Sequence, residues 1–140
     1  MSNEEIIRKF REKGVRVTIQ RIAVYRAVLS SHHPDVDTIL RMLKKDFPNL
    51  TAATVYNNLE ALEKAGLIHK VLTDKGKMRY DGILEEHHHL LDTEEDVILD
   101  HFDEELTRML MEYFRKKPIK GFEISRIMVQ MFGRTKKEKE

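Results

Sequence analysis

Four residues that cap helices well, Ser2 (or Asn3), Thr18, Asp35 and Thr51, each stand just ahead of an apolar run with helical spacing. That punctuation confines the first half of the chain to short helices joined by tight turns. The first helix carries Ile6, Ile7 and Phe10 and stops at Gly14, and the second carries Ile22, Tyr25, Val28 and Leu29. The third carries Val36, Ile39, Leu40 and Leu43 and ends near Phe47-Pro48-Asn49. The fourth, with Val55, Leu59 and Leu62, stops at Gly66. Two helices joined by a short turn, the second opening on a capping threonine, fit a helix-turn-helix. Behind them, residues 67–72 and 77–80 flank Thr73-Asp74-Lys75-Gly76, which predicts a hairpin with a basic wing. The fourth helix turns Ala52, Ala53, Tyr56, Asn57 and Glu60 outward near its N-terminus. Small residues there permit close approach to base edges, and Tyr and Asn can read them.

Past Gly82 the pattern becomes strand, strand, helix, strand. Residues 87–91 and 97–100 flank the acidic turn Asp92-Thr93-Glu94-Glu95-Asp96, and Asp103 caps a helix bearing Leu106, Met109, Leu110, Tyr113 and Phe114. Glu104 and Glu105 in its first turn and Arg115, Lys116 and Lys117 in its last complement the helix dipole, and Pro118 stops it. Residues 122–132 read as a long strand and residues 134–140 as a frayed tail. Three strands and one helix make a core too small to be comfortable alone, so pairing with a second copy is expected. The expectation is therefore an α+β chain. Residues 1–82 form a winged helix-turn-helix DNA-binding domain, and residues 83–140 a small α/β domain for dimerisation and metal sensing.

Charge divides at the same place. Residues 1–82 carry 15 Lys and Arg against 10 Asp and Glu, whereas residues 83–140 carry 10 against 14, so the halves suit different partners. The basic half suits nucleic acid. Residues 83–107 hold ten carboxylates, no Lys or Arg, and four of the seven histidines, which suits a cation. The chain has no cysteine, which excludes disulfides, thiol nucleophiles and cysteine zinc sites. With 35% charged residues, no apolar run long enough to span a bilayer, and a start too charged for a signal peptide, a cytoplasmic protein without a membrane partner is expected.

Residues two apart on a strand share a face, so His87 and His89 can ligate one ion while His88 points away. Asp100 lies on the return strand and Asp81 just ahead of the first strand, and His33, beside Pro34, can reach across from the DNA-binding half. Three imidazoles and two carboxylates make a sulfur-free, five-coordinate set suited to Fe(II), Mn(II), Co(II) or Zn(II). The plainer reading of such a stretch is a solvated acidic hairpin. His32, His69 and His101 read as surface or capping residues, and Met109, Met111, Met128 and Met131 as core filler.

The segments Gly14-Val15-Arg16-Val17-Thr18, Gln20-Arg21, Phe47-Pro48-Asn49, Ala53-Thr54-Val55-Tyr56-Asn57-Asn58-Leu59, Gly66-Leu67 and Arg79-Tyr80-Asp81 resemble, in order, the DNA-binding half of the ferric uptake regulator family. The resemblance continues through His87 and His89 to Asp100 and covers about residues 5–133. Asn57 after Tyr56, and Asp rather than Glu at position 100, resemble the peroxide-sensing branch. The resemblance implies a homodimeric repressor, not an enzyme, that binds an AT-rich palindromic operator in double-stranded DNA. It also implies one regulatory divalent metal per subunit, Fe(II) or Mn(II) with Zn(II) as an in vitro substitute, on His33, Asp81, His87, His89 and Asp100. His33 and His87 would be the histidines oxidised by Fe(II) and peroxide. DNA contacts would come from Arg16, Gln20, Arg21, Thr51, Ala53, Thr54, Tyr56, Asn57, Lys75 and Lys77.

Three departures stand out. Asp92 and Glu95 replace the first Cys pair of the family's structural zinc, and the second falls in a Cys-free tail, so that zinc is expected to be absent. Ile19 stands where proline is usual. Ser125-Arg126-Ile127 lacks the late histidine of a second metal site. Competing readings are an iron-, manganese- or zinc-responsive repressor without histidine oxidation, a non-haem iron enzyme using two histidines and a carboxylate, and a metal-free winged helix that binds RNA or protein.

Overall fold

The computed structural model describes residues 1–73 and 75–137. Asp74 of the expected wing turn and residues 138–140 of the expected tail lie outside the described residues. Contacts divide the chain into two units, Met1–Leu84 and Glu85–Glu140. The first is helical with a small hairpin: α1 (Asn3–Glu12), α2 (Ile19–Ser30), α3 (Val36–Leu43), α4 (Ala52–Lys64), β1 (His69–Leu72) and β2 (Met78–Asp81). The second holds β3 (His88–Asp92), β4 (Val97–His101), α5 (Glu104–Lys116) and β5 (Gln130–Gly133). The architecture is α+β, a winged helix-turn-helix followed by a small α/β unit. Among the described residues, no helix is long and apolar enough to cross a membrane.

Side-chain oxygens of Ser2, Thr18, Asp35 and Thr51 accept from the backbone N–H groups of Glu5, Arg21, Thr38 and Thr54, at 2.8–3.2 Å. Each satisfies a donor that the helix start leaves without an internal acceptor. Gly14 and Gly66, at φ of 70° and 79°, take the left-handed turn that ends α1 and α4. The helices and wing close on Ile6, Phe10, Val24, Tyr25, Val28, Ile39, Val55, Leu59, Leu62 and Tyr80, all buried. Phe10 meets Tyr25 edge to face, with centroids 5.5 Å apart, and full burial of such side chains supplies roughly 1.5–3 kcal/mol each. Leu29, expected on the inner face of α2, is partly exposed instead. Tyr25, Val28, Val24 and Ala27 form the buried stripe. In the wing, His69 pairs with Asp81 and Leu72 with Met78.

In the second unit the sheet order is β4-β3-β5, with β3 antiparallel to β4 and parallel to β5. The expected strand over 122–132 is much shorter, because a strand extends only as far as a neighbour offers ladder partners. Gln130 pairs with His89 near the start of β3, and the Val129 N–H donates to the His88 Nδ1, 3.0 Å away, instead of to a further backbone carbonyl. The tail departs from expectation in the other direction, since Thr135 is tied down. Its N–H and hydroxyl donate to the Asp92 carboxylate at 3.1 and 2.6 Å, while the Glu94 and Glu95 N–H groups donate to the other oxygen, each at 3.0 Å.

These four donors, the Thr135 hydroxyl first among them, hold the Asp92 carboxyl down to about 2. A carboxylate whose folded pKa lies below its unfolded value stabilises the fold above the unfolded value, and that contribution disappears as pH falls through the folded one. The melting temperature of the chain should therefore drop between about pH 4 and about pH 2. Asp92→Asn should melt lower at neutral pH and show a flatter profile in that window. A variant melting like the parent at neutral pH in scanning calorimetry would show that this clamp contributes nothing.

Candidate metal centre and nucleic-acid face

The first unit brings together one histidine and one carboxylate. His33, at the turn before α3, has φ of 48°, a left-handed conformation that costs most side chains energy and that His enters more readily than most. Pro34 carries the next link, its carbonyl accepting the Tyr80 N–H of β2 at 3.0 Å. That bond ties the turn to the strand bearing Asp81. His33 Nε2 stands 3.7 Å from Asp81 Oδ2, both residues being buried, while Asp81 Oδ1 accepts the Ile83 N–H at 2.9 Å. A buried residue held in an uncommon backbone conformation invites a functional explanation.

The second unit places two histidines on one carboxylate. His89 and Asp100 are cross-strand partners in the β3–β4 register, and His87 lies just ahead of β3. His87 Nε2 and His89 Nε2 lie 3.3 and 3.4 Å from the same oxygen of Asp100, their rings meeting edge to face at 4.9 Å. Both histidines are buried, and Phe102 lies against the His87 ring. His87 Nδ1 is 2.6 Å from the Glu85 carbonyl, which only accepts, so Nδ1 carries the hydrogen. Nε2 is then the ring nitrogen directed at the Asp100 carboxylate. A backbone acceptor on the far ring nitrogen is also the usual way a metal-binding histidine is oriented.

His88 faces the other side. Its Nδ1 accepts from Val129, its Nε2 donates to Thr107 Oγ1 at 2.7 Å, and Thr107 donates onward to the Asp103 carbonyl. Burial, reinforced by nearby His101, lowers its pKa and favours the neutral ring that this chain of bonds requires. The two-residue spacing thus separates the carboxylate-facing pair from a structural histidine.

On α4, Thr51, Ala53, Tyr56 and Asn57 are exposed and Thr54 is half-buried. Arg16, Lys75 and Lys77 are exposed, Gln20 is partly so, and Lys77 Nζ lies 3.9 Å from Asp35. Arg21 sits differently: its Nε–H donates to Asn58 Oδ1 at 2.9 Å and an Nη1–H to the Arg16 carbonyl at 3.0 Å. Sequence reasoning passed over Asn58. The available signal was a polar residue beside Leu59 on the buried side of an otherwise apolar stripe.

The chain matches the model of the ferric uptake regulator family over residues 12–132. It is 39% identical over 89 residues to the peroxide-responsive repressor PerR of Staphylococcus aureus, a stretch covering 63% of this chain and 60% of that relative's length. Among solved structures it is similar to the Campylobacter jejuni peroxide stress regulator, at a TM-score of 0.72 and 26% identity over 99% of each chain. The Helicobacter pylori ferric uptake regulator Fur shares the fold at a TM-score of 0.77 and 24% identity, covering 95% of this chain and 88% of that one. With the family model spanning nearly all of a winged helix and a His–Asp-bearing α/β unit, the chain belongs to the ferric uptake regulator family.

Proposed function

We propose that the chain is a metal-dependent, DNA-binding transcriptional repressor in which His33, Asp81, His87, His89 and Asp100 hold one divalent ion per subunit. The observation that carries this reading is the convergence of His87 Nε2, at 3.3 Å, and His89 Nε2, at 3.4 Å, on one oxygen of Asp100. Nitrogen and oxygen donors without sulfur suit Fe(II) or Mn(II), and accept Zn(II) in vitro. The absence of cysteine leaves no cysteine zinc site. Because the donors come from both units, the ion would couple their arrangement, and with it the spacing of two recognition helices in a homodimer.

Support for the dimer is the apolar surface of the second unit. α5 has no buried residue although Met109, Met111 and Tyr113 are apolar and exposed, and Phe122 and Phe132 are 67% and 54% exposed. Patches of this kind mark association surfaces. Support for DNA as partner is the exposed N-terminal face of α4 together with the exposed Arg16, Lys75 and Lys77 of the same unit. Tyr56 would read a base, such as a thymine methyl, with Thr51, Ala53, Thr54 and Asn57 beside it. Arg16, Gln20, Lys75 and Lys77 would hold phosphates of an AT-rich palindrome.

The finer reading is peroxide sensing, which the likeness to the PerR relative favours. Bound Fe(II) would supply the means of activating hydrogen peroxide beside His33 and His87. The net change, imidazole plus peroxide to oxidised imidazole plus water, spoils a ligand and releases DNA. The Mn(II)-loaded chain should select a palindromic duplex from a random library, and Tyr56→Ala should lose preference among sequences. Retained preference would move the reading helix elsewhere. Stoichiometric Fe(II) and peroxide should add the mass of one oxygen to a peptide containing His33 or His87 and abolish binding, whereas the Mn(II) form resists. Unmodified histidines with retained binding would leave a repressor that responds to metal alone.

A further inference from the structure

Arg21 is the third residue of α2, and three segments meet at its guanidinium. Its Nε–H donates to Asn58 Oδ1 on α4 at 2.9 Å, an Nη1–H donates to the Arg16 carbonyl at 3.0 Å, and its own backbone N–H is held by Thr18 Oγ1 at 3.0 Å. Asn58 is 6% exposed, and its Nδ2 donates to the Thr54 carbonyl one turn earlier, 3.0 Å away. Both ends of the amide are therefore committed, which fixes its orientation. Without Arg21, Asn58 Oδ1 would be a buried acceptor with its charged donor removed, and α4 would have to shift to bring it to water.

We propose that Arg21 is a positioning residue for sequence recognition. Through Asn58 it sets where the N-terminal half of α4 stands against the Arg16 loop and the start of α2, and so which bases Tyr56 reads. Only the forked guanidinium spans Asn58 and the Arg16 carbonyl together; a lysine ammonium keeps the charge but lacks that planar reach. A phosphate contact makes the opposite demand, since charge alone satisfies it and each such contact adds about one to the salt slope of DNA binding.

This inference rests on the DNA-binding reading above, and the experiment keeps the two apart. The probe is the duplex that the metal-loaded full-length parent selects from a random library, measured against a scrambled duplex over a range of salt. If the parent selects nothing, the DNA-binding reading fails, and this inference with it. Given a selected duplex, Arg21→Lys and Asn58→Ala should each weaken it by about tenfold or more, narrow the preference over the scrambled duplex, and leave the salt slope unchanged. Combined, they should cost little more than either alone, as expected for two halves of one contact. Asn58→Asp, which keeps the acceptor, should retain more binding than Asn58→Ala. If Asn58→Ala fails to fold, Arg21→Lys decides alone. Parent-like binding by Arg21→Lys, or a slope lowered by about one in Arg21→Gln with unchanged preference, would overturn the proposal in favour of a phosphate contact.

Discussion

Two buried histidines, His87 and His89, bring their Nε2 atoms to 3.3 and 3.4 Å from one oxygen of Asp100, and the local structure of the second unit is built around that convergence. The β3–β4 register puts His89 opposite Asp100, and the Glu85 carbonyl sets the tautomer of His87. Phe102 lies against the His87 ring. Each of these local features costs little. Together they concentrate nitrogen and oxygen donors in one place. The first unit repeats the theme with His33 and Asp81, where the Pro34–Tyr80 hydrogen bond holds the turn in place.

The two units meet their stability needs differently. The winged helix buries a continuous apolar cluster. In the α/β unit the most enclosed side chains are His88 and His89; Leu91 and Ile98 are buried too, but Met109, Tyr113, Phe122 and Phe132 are exposed. Asp92 gathers the turn after β3 and the segment after β5 through four hydrogen bonds. The clamp needs no metal, but it does need its carboxyl ionised.

Much of this was legible because the signals are local. A capping oxygen and its N–H are three residues apart, so Ser2, Thr18, Asp35, Thr51 and Asp103 announce their helices directly. Period-two geometry likewise separates His87 and His89 from His88. What was not legible depends on distant partners. Whether residues 122–129 form a strand is settled by what lies beside them, and the donor of Val129 goes to the His88 ring, 41 positions away. Arg21 reads in sequence as a DNA-contacting basic residue, yet its guanidinium is engaged by Asn58, 37 positions on. Thr135 sits in a charged tail that composition marks as frayed, but its anchor lies 43 positions back.

The proposed ion would draw its donors from both units. The direct measurement is a Mn(II) titration, followed by calorimetry, of the parent chain and of His33→Ala and His89→Ala, with folding checked by thermal melting. The expectation is one tight ion per chain in the parent and, in either variant, a loss of affinity larger than the roughly 10–100-fold typical of disturbing an outer partner. A His33→Ala chain that binds Mn(II) as tightly as the parent would contradict it, because the second unit would then hold the ion by itself.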